Sequence, residues 1–155
     1  MGRRNYDRAP CVQVGEAASC TLGWPAILER LRPLRSRKHC VLAVECYPGV
    51  DVDGVRRTLA DGLLPVHVVD LRQAYRDAGE IERMCAPYLG DDPLFGRMNR
   101  LALPDFFEPG RSAVLRGRAD AVREGLVLIV GAGASLLCRP DVVVYADLSR
   151  ARVRE

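Results

Sequence analysis

The sequence predicts an α/β fold with three layers, in which helices cover both faces of a mainly parallel sheet. Four short apolar runs have the length of buried strands and alternate with segments of helical periodicity; they are 39–46, 66–70, 126–130 and 142–146. Strands of parallel sheets are apolar on both faces, and helices usually connect them. Two of the runs, 39–46 and 126–130, lead straight into a glycine turn and then a predicted helix, an arrangement that builds ligand sites in such domains.

The helices are predicted where apolar residues recur every three or four positions. They cover 24–37, 52–63, 71–88 with a break near Gly79, and 112–123. Pro33 is expected to kink or end the first of these helices. Asp51 is expected to cap the second, because its carboxylate can accept a free amide of the first turn. A short edge strand at 11–14 and the start of a basic helix at 148–155 complete the pattern.

Size and composition indicate one α/β domain, 22–155, after an irregular lead-in at 1–21. The 155 residues include 48% hydrophobic residues, enough for a core, and the net charge of +3 is too balanced to indicate a nucleic-acid partner. No apolar run approaches the roughly 20 residues of a membrane span, and no signal peptide is evident. The six cysteines form no Cys-x-x-Cys pair, so we expect free thiols, a cytoplasmic location and no membrane partner.

The first glycine turn is a candidate binding site that contains Tyr47, Gly49 and Asp51. A working P-loop would carry lysine and a hydroxyl where this chain has Val50 and Asp51. The lysine charge is absent, and the carboxylate at the helix start competes for the amides that a phosphate would use. A capped strand-to-helix turn and a remodelled pocket for a ligand without phosphate are the alternatives.

The second glycine turn contains Gly131, Gly133 and Ser135, whose small side chains and free amides could lie beside a ligand. It lacks the last glycine of the dinucleotide-binding motif, because Leu136 stands there, and it comes late in the chain. Close packing of strand against helix is the alternative reading of these glycines.

The segment 91–110 is predicted to be a functional loop, because it is long and holds three prolines and all three phenylalanines of the chain. Asp92 and Arg97, in the part 91–97 of this loop, are candidate ligand-binding residues, since carboxylates can hold a metal and arginine can pair with phosphate. An Asp-Pro turn with a local salt bridge is the alternative.

Asp147 and Arg150 follow the last strand, and open parallel sheets bind ligands at the carboxyl ends of their strands. The alternative is a solvated basic helix. The only two histidines, His39 and His67, cannot supply the usual three zinc ligands, so we expect no catalytic metal. No Ser-His-Asp or Cys-His arrangement stands out, so we expect no catalytic residue in this chain either.

Five segments together resemble the amino-terminal region of a long bacterial form of class I mannose-6-phosphate isomerase; they are 44–51, 91–98, 103–107, 131–136 and 144–148. The resemblance covers about residues 6–155. In that family a cupin barrel follows and carries the zinc and the acid–base residues that interconvert mannose 6-phosphate and fructose 6-phosphate. The resemblance implies a non-catalytic or ligand-binding domain with no cofactor of its own. Its expected partners are a sugar phosphate or nucleotide and a cupin domain, in the same polypeptide or as a separate chain. The chain stops one turn into a helix, and we expect further polypeptide to follow.

A second, more distant resemblance is to uridine kinases and related P-loop phosphotransferases, over 41–59, 126–131 and 142–147. It implies a sheet with the 41–46 strand inside and the 66–70 strand at an edge. It also implies that one end of the sheet gathers Gly49, Asp51, Asp105, Gly133 and Asp147. The phosphate loop would be degenerate. A small-molecule kinase acting on nucleosides or sugars and a structural interaction module remain the alternative functions.

Overall fold

The protein is described by a computed structural model over residues 22–90 and 96–148. One four-stranded sheet runs through it, with β1 at His39–Cys46, β2 at His67–Asp70, β3 at Gly125–Gly131 and β4 at Val142–Ala146. All of the pairings are parallel, and the strand order is β2-β3-β1-β4. The predicted α/β class is confirmed, with β1 inside the sheet and β2 at an edge as expected.

The first two helices are close to their predicted bounds. The helix α1 covers Gly23–Leu31, and a 3-10 turn at Arg32–Ser36 ends it, because Pro33 has no amide to continue the α-helical ladder. The helix α2 covers Val52–Leu63 as predicted. Its cap is also confirmed, since the Gly54 amide donates to Asp51 Oδ1 at 2.9 Å.

A helical region over 71–88 with a break near Gly79 was predicted, and the structure has such a break at 75–77, just before Gly79. A 3-10 turn covers Leu71–Ala74, the chain is then extended, and α3 begins only at Ala78 and runs to Leu89. The chain leaves the helical path before Gly79, since Tyr75 forms an antiparallel bridge with Phe107. A capping hydrogen bond of 3.0 Å from the Arg72 amide to Asp70 Oδ1 stabilises the short turn instead.

In the second half of the chain, the helices differ from those predicted in where they begin and how long they are. After a 3-10 turn at Leu103–Phe106, α4 covers Pro109–Ala121 and begins three residues before its predicted start. The reason is a strong cap, because the Glu108 carboxylate accepts from the amides of Gly110 and Arg111, and proline suits a first helical position. The helix α5, Ala134–Leu137, is a single turn. The predicted strand 11–14 and all but the first residue of the basic helix 148–155 lie outside the described residues.

Two apolar layers give the domain its three-layer form. Side chains of β1 alternate between them. We call the side of the sheet that α1 and α2 cover the α2 face; its core holds Leu42, Val44, Leu59, Leu63 and Leu128. We call the other side, which α4 and α5 cover, the α4 face; its core holds Ala43, Leu71, Leu115, Val127 and Ile129. Both faces of β1 and β3 are therefore buried, which explains why these strands are apolar at nearly every position.

We expect Gly131→Ala to destabilise the fold. Gly131 has a φ of 141°, and an added Cβ would lie 2.9 Å from Leu71 Cβ. The loss in the free energy of unfolding should be on the order of 2 kcal/mol, measured by urea denaturation. The control is Gly117→Ala in α4, where a Cβ meets nothing within 4 Å. That change should stabilise the protein by roughly 0.5–1 kcal/mol, and equal effects of the two substitutions would contradict this account.

Candidate functional site

The carboxyl ends of the central strands define the place where a parallel sheet of this order would bind a ligand. From β1 the chain passes to α2 on one face, whereas from the neighbouring β3 it passes to α5 on the other face. Crevices form where neighbouring connections diverge in this way. The two glycine turns lie at this point, at 47–51 after β1 and at 131–133 after β3.

The first turn is closed on itself. The Val50 amide donates to the Tyr47 carbonyl at 3.0 Å, and the Tyr47 amide donates to the Ala146 carbonyl of β4 at 2.9 Å. Gly49 has a φ of 100°, and a Cβ there would lie 3.2 Å from the Leu148 side chain. The Asp51 carboxylate accepts a hydrogen bond from the Gly54 amide. A donor that a phosphate would need at this helix start is therefore bonded to the chain's own carboxylate.

The second turn is held by a residue that the sequence analysis missed, Glu45. Its side chain is buried, with 9% of the residue exposed. One carboxylate oxygen accepts from the Gly133 amide at 2.7 Å, and the other accepts from the amide of Ser135 at 2.6 Å and from its hydroxyl. These three donors compensate the cost of burying the charge. The signal in the sequence was the single charged residue in the apolar run 41–46.

Side chains from the predicted functional loop cover the second turn. A Cβ at Gly133, where φ is 84°, would lie 2.7 Å from Phe107 Cζ and 3.1 Å from Leu103 Cδ2. Phe107 packs edge-to-face on Tyr75 with ring centroids 5.0 Å apart, and the Tyr75 hydroxyl donates to the Ala132 carbonyl at 3.0 Å. Burial raises the pKa of Tyr75, and the Glu45 charge adds to this rise. The small residues of the turn thus allow close packing by the loop.

A third cluster, also missed by the sequence analysis, joins the end of β2 to the start of α2. Arg72 donates to both carboxylate oxygens of Asp53, at 2.9 and 2.6 Å, and to both oxygens of Asp70. These hydrogen bonds, followed by one from Arg56, lower the pKa of Asp53 to about 2. Those from Arg72 also lower the pKa of Asp70. The two carboxylates are therefore engaged with arginine.

The other candidate residues mostly make local hydrogen bonds. The Asp105 carboxylate accepts from the Ala102 amide at 2.7 Å, and the Asp147 carboxylate accepts from the Leu148 amide at 2.7 Å. The Arg97 amide donates to the Tyr88 carbonyl at 2.7 Å. Asp92 and Arg150 lie outside the described residues.

The described residues offer no metal centre. Across 22–90 and 96–148 no group of three or more histidine, cysteine, aspartate or glutamate side chains is placed to hold a metal ion. In the same part of the chain, no helix is both long and apolar enough to cross a membrane.

The model of the family described as a domain of unknown function, DUF8485, matches residues 23–155. The chain belongs to this family. The match spans the four strands that the structure describes and the two glycine turns that follow β1 and β3. No curated protein and no solved structure matches the chain.

Removing the Glu45 carboxylate should be costly. Glu45→Ala leaves the Gly133 and Ser135 amides without acceptors, so we expect a loss of about 3 kcal/mol in the free energy of unfolding. Ser135→Ala, which removes only the hydroxyl donor, should cost about 1 kcal/mol. Glu124→Ala is the control, because its ion pair with Lys38 is long, 3.9 Å, and exposed; it should change stability by less than about 0.5 kcal/mol. A Glu45→Ala variant as stable as the control would refute the claim that the Glu45 carboxylate stabilises the second turn through its hydrogen bonds.

The Asp53–Arg72 pair should make stability depend on acid pH. The pKa of Asp53 is about 2 in the folded protein, below its ordinary 3.8, so its contribution is complete above about pH 4 and is lost as the pH falls toward 2. The difference in Tm between the wild type and Asp53→Asn should therefore shrink on acidification. The control is Asp61→Asn, an exposed position on the same helix. A constant Tm difference from pH 6 to pH 2 would contradict the assignment.

Proposed function

We propose that the chain is a non-catalytic domain of a mannose-6-phosphate isomerase-like protein, with a P-loop phosphotransferase-like fold whose phosphate loop is degenerate. The observation that carries this proposal is that amides of the two glycine turns are already hydrogen-bonded within the chain. In both of them a carboxylate of the same chain, Asp51 or Glu45, occupies amides that would otherwise be free to bind a phosphate.

The electrostatics argue against phosphate binding at these turns. A carboxylate 4 Å from a phosphate oxygen costs about 4 kcal/mol of repulsion at a partly screened protein surface. One charge-assisted hydrogen bond returns only about 1.5–3 kcal/mol. No lysine stands at the end of the first turn to reverse this balance. The kinase alternative therefore gains no support from the turn that would have to carry it.

The strand order supports the fold part of the proposal. The resemblance to uridine kinases implied that the first strand is internal and the second lies at an edge, and β1 and β2 have these positions. It also implied that the glycine turns share one end of the sheet, as the carboxyl ends of parallel strands do.

We propose that the domain's partner is the zinc-binding cupin barrel that the resemblance implies, in the same polypeptide or as a separate chain. On this account the domain braces the barrel, and a sugar phosphate or nucleotide is the less favoured partner. A cytoplasmic location fits the free thiols among the described residues. Burial raises the pKa of three of these thiols, at Cys40, Cys46 and Cys138, as expected of core side chains.

The proposal predicts that the purified chain binds neither ATP with magnesium nor mannose 6-phosphate at its turns. In amide NMR spectra, the resonances of Gly54, Gly133 and Ser135 should not shift on addition of either compound. A coupled assay should show no ADP release with nucleosides or sugars, and no isomerisation of mannose 6-phosphate should occur.

Saturable shifts at those three amides would overturn the proposal, and so would turnover in either assay. Asp51→Asn serves as the matched variant, because it keeps an oxygen for the Gly54 amide and removes the charge. Binding that appears only in Asp51→Asn would support the electrostatic argument. Equal binding by the wild type would contradict it.

A further inference from the structure

Within β4 itself, the described residues carry none of the features that usually protect a sheet edge, although Pro140 and Asp141 stand directly before the strand. Among the described residues β4 pairs only with β1, and its five residues, Val142–Ala146, include no charge and no proline. Native proteins usually blunt exposed edges with charges, prolines or bulges, because unpaired strands recruit other strands. On the α4 face, Val143 is 45% exposed and Tyr145 is 79% exposed. Leu136 of the single-turn helix α5 is also exposed, so the described residues leave this part of the α4 face largely uncovered.

We propose that a second copy of this chain pairs with β4, antiparallel and about a two-fold axis at Val143, to form one continuous eight-stranded sheet. This inference rests on the edge strand and does not depend on the function proposed above.

The backbone of β4 is disposed for such pairing. Alternate residues of a parallel strand direct their amide and carbonyl groups to the same neighbour. The Ala146 carbonyl accepts from Tyr47 on the β1 side, so Val142, Val144 and Ala146 turn their backbone groups toward β1. Val143 and Tyr145 turn theirs outward. Val143 can then exchange two N–H···O bonds with Val143 of the second copy, as a hydrogen-bonded pair of an antiparallel ladder does.

Charge complementarity selects this register. With the axis at Val143, Arg139 lies across from Asp147 of the second copy, and the symmetric pair repeats the contact. Arg139 is exposed, and no ion pair engages it among the described residues. The Asp147 carboxylate accepts only the amide of the next residue there. Asp141, whose carboxylate accepts from the Val41 amide of β1 at 2.8 Å, lies across from Tyr145, which is uncharged.

The neighbouring registers are worse. An axis at Val144 would lose the contact between Arg139 and Asp147, because Asp147 of the second copy would then lie across from Asp141, whose carboxylate already accepts from the Val41 amide at 2.8 Å. A slip of one residue would bring side chains of the α4 face against those of the α2 face. The proposed register also places Val142 across from Val144 of the second copy, an apolar pair on the α2 face, which is consistent with the packing of both side chains on that side.

Sedimentation velocity of the full chain up to about 500 μM tests the proposal. We expect a concentration-dependent species of twice the 17.1 kDa of the chain. Val143→Lys, which sets two ammonium groups side by side at the axis, should weaken the dimer at least about tenfold. The control is Val114→Lys on α4, a similarly exposed valine, which should leave the dimer unchanged. Circular dichroism establishes that both variants fold.

A charge swap tests the register. Arg139→Asp and Asp147→Arg should each weaken dimerisation about 3- to 10-fold, and the double variant should restore it. A protein that stays monomeric would overturn the proposal. A dimer insensitive to Val143→Lys would also overturn it, as would a double variant no tighter than the single ones.

Discussion

A single buried carboxylate organises the carboxyl end of this sheet. Glu45 sits near the end of the central strand and bonds two amides and a hydroxyl of the turn that follows β3. The same glycine turn also supports the aromatic contact between Tyr75 and Phe107, because the Tyr75 hydroxyl donates a hydrogen bond to the Ala132 carbonyl. The loop, the turn and the two central strands therefore depend on one charge whose cost of burial is offset by its donors.

The sequence was a good guide to the strands and a weaker guide to the site. β1, β4 and α2 have their predicted bounds, because apolar runs and a capping aspartate are local signals. The start of α4 and the break before α3 depend on a side-chain cap at Glu108 and on a bridge between Tyr75 and Phe107. Such contacts join positions that periodicity does not connect.

The same limit applies to the candidate site. Gly133 and Ser135 were recognised from the glycine pattern, but their partner Glu45 lies about ninety positions earlier, and only its charge marked it. Arg72 likewise joins Asp53 to Asp70 across two elements. Spacing within a segment cannot reveal pairs of this kind, so the turns looked open to a ligand when they are bonded internally.

The strand order constrains how the chain reaches its native state. β3 lies between β1 and β2, and β4 pairs only with β1 among the described residues, so the first two strands have no neighbour until β3 is present. During synthesis, the chain must emerge beyond residue 125 before β1 or β2 can pair with another described strand. Long-range parallel pairing of this kind folds slowly. The nascent chain therefore carries β1, an apolar strand, without a strand partner until β3 has been made, and assistance from chaperones matters most in this interval.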